Sequence, residues 1–368
     1  MFAACRVLNG IAGEAALAAA AVASVELFPK NLRAFAVQMT CICWSIGVMV
    51  LDLMAYFLRD WRNLQLAIAL TPLVTIIDIW LIPESVPWLL SKGKVKEADE
   101  IVKKAASING MTLPEHPFDI PVDTEVIEEQ ELGRMTLFRE PILRRITLTL
   151  LALWFVNNLV YYGLSLSAAE LAGDRFLNVF FMSLVEIPAT VCCMFLLESR
   201  AGRRLSLSGF HILAGISLIL LVCVPPDTES TTNPMPLSVF LTLLGKFNIA
   251  ASMSIIVQYS LELYPTIIRN TGVGTSLLAA PVAGTLAPFA AYLARMVPWA
   301  PGVIFAIMSL LVGTVALLLP ETRGRPLPHT IEDMKHLPSL TCGSLNRRRK
   351  DNKSTNVNRN LEMEYESY

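Results

Sequence analysis

Arg6, Glu186 and Lys246 are ionisable side chains set within stretches that are largely apolar. In hydrocarbon a charge at mid-span costs about 3 kcal/mol on insertion scales, so it faces a watery cavity, finds a partner or snorkels to the surface. Arg6 and Lys246 precede Glu26 and Glu262 by 20 and 16 residues, which places them at comparable depths in two parts of the chain. A cavity position and a snorkelling side chain both fit these two bases, the second more readily for Arg6. Glu186 is followed by Pro188, whose missing N–H frees a carbonyl in mid-span. An acid there needs a partner, and a cavity position is the reading adopted. Asn157, Asn158, Tyr161 and Tyr162 give a further run a polar and aromatic face. Ring faces attract organic cations, whereas tyrosine at a membrane interface is also ordinary belt chemistry, which serves equally for Tyr162.

A second set of residues is repeated. Glu26-Leu-Phe-Pro29-Lys-Asn-Leu-Arg33 returns 236 residues later as Glu262-Leu-Tyr-Pro265-Thr-Ile-Ile-Arg269, and each copy closes a long apolar run. Pro83-Glu84-Ser85 and Pro320-Glu321-Thr322 end two other runs at an offset of 237. Two landmark pairs in one register mark two related halves. Acids and arginines at matched helix ends pair across neighbouring helices and hold one conformation shut. Glu26, Arg33, Arg203, Arg204, Glu262 and Arg269 are the gate candidates; for the arginines, simple anchoring on the cytoplasmic side is the alternative.

The elements that must carry these residues are membrane helices. Of 368 residues 54% are hydrophobic and 17% charged, with a mean hydropathy of +0.53. A bilayer core needs about 20 apolar residues per helix, and nine runs qualify: 5–28, 35–57, 64–82, 146–166, 176–197, 207–224, 237–262, 272–294 and 301–319. The first is read as a span rather than a signal peptide, because Glu14 interrupts it and no basic leader precedes it. A net charge of -1 argues against nucleic acid as a partner, and six of the seven cysteines fall inside the runs, so no disulfide framework is implied.

One set of connections carries fifteen Lys and Arg residues and the opposite set only Arg59, Arg62, Arg175 and Arg295, which assigns the first set, with the C-terminus, to the cytoplasm. The division is 1–82, an incomplete N-terminal half of three spans; 83–145, a cytoplasmic loop; 146–320, a six-helix half; and 321–368, a cytoplasmic tail that reads as largely disordered. Within the loop, Val95, Ala98, Ile101, Val102, Ala105 and Ala106 recur at helical spacing and predict a short amphipathic helix, while Glu125 to Glu131 reads as solvated linker. Segment 225–236 is an external loop. No phosphate-binding loop is present and the four histidines are scattered, so neither an enzyme nor a metal centre nor any cofactor is implied.

Taken together, the two E-x-x-P-x-x-x-R elements, Pro83-Glu-Ser-Val-Pro-Trp-Leu-Leu90, Arg200-Ala-Gly-Arg203-Arg204 and Pro320-Glu-Thr-Arg-Gly324 resemble the organic ion transporters of solute carrier family 22. The resemblance implies the major facilitator fold, an all-α bundle of twelve helices in two six-helix halves, here with about nine. It also implies a multi-pass protein of the plasma membrane that carries a small organic ion through a cavity between the halves. The first span is similar to the family's fourth, so the family's first three spans and its outer loop are expected to be missing.

On this resemblance, Asn157 to Leu166 looks like the seventh span, which lines the substrate cavity. Thr190 stands where anion-type relatives carry a lysine, and Pro281 where they carry an arginine and cation-type relatives an aspartate. Glu186 matches the acid of the cation-type Glu-x-Pro-Ala step. The balance leans to a cation or zwitterion. Two departures stand out: Val86 and Pro87 replace the family's P-R step, and Ser199 replaces the acid of D-R-x-G-R-R. Two functions follow, a secondary transporter of small organic ions, or a transport-incompetent form acting as a regulatory or binding partner. The second arises because an incomplete half would expose cavity residues such as Arg6 and Glu14 to lipid.

Overall fold

The computed structural model describes residues 3–13, 16, 28, 33–73, 83–84, 86–91, 94–111, 135–168, 174–199, 201–224, 237–265, 268–323, 328 and 334. Among them every regular element is helical. Residues 3–13 form a helix, followed by α1 (Arg33–Phe57), α2 (Trp61–Leu70), α3 (Val86–Ser91), α4 (Val95–Asn109), α5 (Thr136–Arg139), α6 (Pro141–Ser167), α7 (Arg175–Leu184) and α8 (Glu186–Glu198). Then come α9 (Gly202–Cys223), α10 (Leu237–Leu263), α11 (Arg269–Leu277), α12 (Ala279–Met296) and α13 (Ala300–Ala316). Glu14, Glu26, Arg200, the 125–131 linker, the 225–236 loop and the C-terminal tail from 335 lie outside the described residues.

Among the described residues, six stretches are long and apolar enough to cross a membrane: Phe35–Phe57, Pro141–Ser167, Arg175–Leu197, Gly202–Cys223, Leu237–Leu263 and Arg269–Met296. Ala300–Ala316 is a shorter apolar helix, about 25 Å long. These seven coincide with seven of the nine expected runs. Two are broken in the middle, and proline explains both breaks. A proline ring clashes with the carbonyl four residues back and supplies no N–H to it. Pro188 therefore interrupts the ladder at Leu184, where α7 gives way to α8, and Pro281 does so at Leu277, where α11 gives way to α12. The first break leaves Glu186 in the opening turn of α8, where the helix dipole favours a negative charge.

The chain divides into two units, Met1–Glu131 with Ser167–Met194, and Leu132–Leu166 with Phe195–Tyr368. In the first unit α1 packs on α7. The Tyr56 and Phe176 rings meet edge to face at 5.6 Å, and the Arg59 guanidinium lies over Phe176 at 4.8 Å. Asp174 caps α7 by accepting from the N–H groups of Phe176 and Leu177. The amphipathic helix predicted around 95–106 is α4, which rests on α3 through Leu89 and Ala98. In the second unit α9 lies along both α10 and α13. Ser208 donates to the Gly313 carbonyl at 2.7 Å, a close approach that the missing side chain of Gly313 permits.

Candidate functional site

Within the second unit, hydrogen bonds join α6 to α10 at three levels. Ser165 pairs with Lys246, Asn157 with Ser252 and with the Ile249 carbonyl, and Trp154 with Ser260. Residue numbers rise on one helix as they fall on the other, so the two run antiparallel. Asn157, Tyr161 and Ser165 are spaced four apart and share one face of α6. That spacing puts a tyrosine ring between an amide and a hydroxyl, all turned toward α10.

Lys246 is 1% exposed. Its ammonium donates to Ser165 Oγ at 2.8 Å and sits 3.1 Å from the centroid of the Tyr161 ring. Tyr161 and Tyr162 meet edge to face at 5.3 Å, and Tyr162 packs over Gly284 of α12. Tyr162 is 38% exposed, so the cluster runs from a buried cation to a partly open ring. Asn157 is fully buried; its Nδ2 is committed to α10, and its Oδ1 has no hydrogen-bond partner among the described residues.

In the first unit Glu186 is 5% exposed and accepts from Ser45 Oγ of α1 at 2.8 Å. Thr190, one turn on, is buried. Arg6, in the 3–13 helix, is exposed and donates to Gln65 at 2.8 Å. Pro281 is exposed on the first turn of α12.

A third cluster joins four chain segments at the Glu262 end of α10. Arg203 Nε lies 3.2 Å from Glu262 Oε2, and Arg203 also donates to the Leu197 carbonyl. Gln258 and Thr322 donate to the same carboxylate. Glu321 spreads its two oxygens over the N–H groups of Arg203 and Arg204, at 3.0 and 3.1 Å, and so caps α9. Gly202 makes room for it: φ is +69°, and a Cβ there would stand 2.7 Å from the carboxylate. Tyr259 donates to the Pro320 carbonyl. Arg269 Nε reaches the Tyr264 carbonyl at 3.2 Å, satisfying an acceptor just past the end of α10. The Tyr264 hydroxyl bonds Thr147 at 3.0 Å and Ser276 at 2.9 Å, and its ring lies against Gly272. Burial raises the Tyr264 phenol above its ordinary value, and those two hydrogen bonds partly offset the rise.

Of the gate candidates, the structure brings Arg203, Arg204 and Glu262 into one cluster and sets Arg269 at its edge. Glu26 is outside the described residues, and Arg33 is described only as the first residue of α1. Glu321, Thr322, Gln258, Tyr259, Tyr264, Ser165, Ser252 and Ser45 do not stand out as site residues in the sequence. Glu321 and Thr322 carry a usable signal in the 237-residue repeat; the others are single polar residues whose partners are remote in the chain.

The sugar (and other) transporter family matches residues 1–333. Human organic cation/carnitine transporter 2 is 36% identical over 344 residues, covering 92% of this chain and 60% of the relative. A Xenopus laevis solute carrier family 22 member 15-like protein is 32% identical, over 91% of this chain and 68% of its own. The chain belongs to solute carrier family 22. This is a family of membrane transporters and not of enzymes. The Drosophila organic cation transporter protein is similarly related, at 38% identity with 60% of its length covered, so the chain spans about three fifths of most of these solute carrier family 22 relatives. The fold is shared with solved major facilitator structures. The proton:xylose symporter XylE bound to a bromodeoxyglucose matches with a TM-score of 0.60 at 18% identity, covering 83% of this chain and 68% of that one. The inward-open xylose transporter from E. coli matches at 0.55.

Proposed function

We propose that this chain is a secondary transporter of small organic ions that works by alternating access in the plasma membrane, with its C-terminus in the cytoplasm. The observation that carries the reading is the Lys246 ammonium, buried within membrane-length helices on the Tyr161 ring and the Ser165 hydroxyl. Charge is costly at such depth and is characteristic of ion and substrate pathways. Glu186, held by Ser45 at a proline-broken helix, supports a cation or zwitterion as substrate, as do the relatives whose names refer to organic cations and carnitine. Asn157, Tyr161, Tyr162, Thr190 and Pro281 are further candidates for substrate contact. The cluster of Arg203, Arg204, Glu262 and Glu321 acts as a cytoplasmic clasp, with Arg269 beside it and with Glu26 and Arg33 as its counterpart in the first repeat.

The alternative is a transport-incompetent form of the chain that acts as a regulatory or binding partner. Uptake by proteoliposomes holding the 368-residue chain alone separates the two. Saturable, nucleotide-independent uptake of a quaternary ammonium or betaine probe that falls with Glu186→Gln supports transport. Uptake no faster than in protein-free vesicles, from folded protein, refutes it.

A further inference from the structure

An aromatic face that receives organic cations should be open, and here the Tyr161 face is filled by the chain's own cation. Lys246 Nζ lies 3.1 Å from the ring centroid, at the distance of direct contact, and its bond to Ser165 Oγ holds it there. The geometry is set by two helices: Tyr161 and Ser165 are one turn apart on α6, and Lys246 projects from the antiparallel α10 between them. Tyr162 meets Tyr161 edge-on and is itself partly exposed.

We infer that Lys246 is a tethered competitor, a built-in cation that occupies the Tyr161 ring and sets the charge selectivity of the site. It rests on the reading of this chain as an organic ion transporter. A quaternary ammonium group reaches the ring only by displacing the lysine, which loses its cation–π contact and repels the newcomer at short range. A ligand bearing a carboxylate meets the same ammonium as an attraction. Lys246 therefore penalises simple cations and favours molecules that carry a negative group, without itself being the cradle for either.

Binding to the purified full chain in detergent tests this with two probes, tetraethylammonium and benzoate. Lys246→Gln frees the ring and is expected to bind tetraethylammonium on the order of tenfold more tightly and benzoate more weakly, the opposite movements being a signature that mere loosening of the helices would not give. Lys246→Arg keeps a tethered cation and gives no gain. Adding Tyr161→Leu to Lys246→Gln removes the gain, because the freed face is gone. Lys246→Met serves in place of the glutamine if that variant does not fold, and the same two shifts are expected. If wild type binds a probe and removal of the lysine charge leaves the tetraethylammonium affinity unchanged or weaker, the tethered-competitor role is overturned while the transporter reading stands. If neither probe binds wild type or any folded variant, both fail.

Discussion

Gly202→Ala tests the clasp at its narrowest point. The left-handed backbone at φ +69° costs a residue with a Cβ about 1–2 kcal/mol. The new methyl would also stand 2.7 Å from the Glu321 carboxylate and push it off the N–H groups of Arg203 and Arg204. Losing a helix cap costs about 1–2 kcal/mol, so the substitution should destabilise by about 2–4 kcal/mol. Glu321→Ala alone removes only the cap, at about 1–2 kcal/mol. Because the first change already displaces the carboxylate, the double variant should cost no more than Gly202→Ala alone, leaving a coupling of about 1–2 kcal/mol. The assay is an SDS titration in mixed micelles followed by tryptophan fluorescence. Strictly additive losses, or a Gly202→Ala protein as stable as wild type, would refute the capping argument.

Three further outcomes are expected. Glu262→Ala strips partners from Arg203, Gln258 and Thr322, and because the Arg203 and Glu262 side chains are 12% and 17% exposed, the loss should reach about 2–3 kcal/mol, less than a fully buried pair would show; the same titration checks it, and a matching loss in Glu262→Gln would argue against a role for the charge. Tyr264→Phe removes bonds to Thr147 and Ser276 and should cost about 1–2 kcal/mol, whereas Gly272→Ala, which drives a methyl into the Tyr264 ring, should cost more; the reverse order of melting temperatures would contradict the packing. Ser45→Ala and Glu186→Gln should be coupled by about 1 kcal/mol in a double-mutant cycle, and independent effects would show that their 2.8 Å contact contributes nothing.

Much of the fold is legible because hydrocarbon imposes one rule: seven expected runs reappear as helices, and the prolines at 188 and 281 mark where two of them break. The amphipathic loop helix is equally visible, since Val95, Ala98, Ile101 and Val102 keep a helical period. Pairing is less legible. Glu186 announces itself as an acid in need of a partner, but nothing near it in the chain names Ser45, which is 141 residues away. Tyr161 reads as a ring open to a cation; only the antiparallel register of α6 and α10 reveals that Lys246 occupies it. The repeat draws attention to Glu262 and Arg269, yet the carboxylate that caps α9 beside Glu262 is Glu321, from the second landmark pair. Ser199, which the sequence presents as a departure from the expected D-R-x-G-R-R acid, donates to the Leu196 carbonyl and accepts from the Ala201 N–H, closing a local turn.

Counterflow tests the central claim most directly, because it needs the substrate site to face each side of the membrane in turn. Proteoliposomes containing the chain are loaded with unlabelled probe and diluted into a trace of labelled probe. Alternating access predicts a transient accumulation of label above its outside concentration, reduced when Tyr161 is replaced by leucine. Label that binds the protein stoichiometrically and never accumulates inside would contradict it.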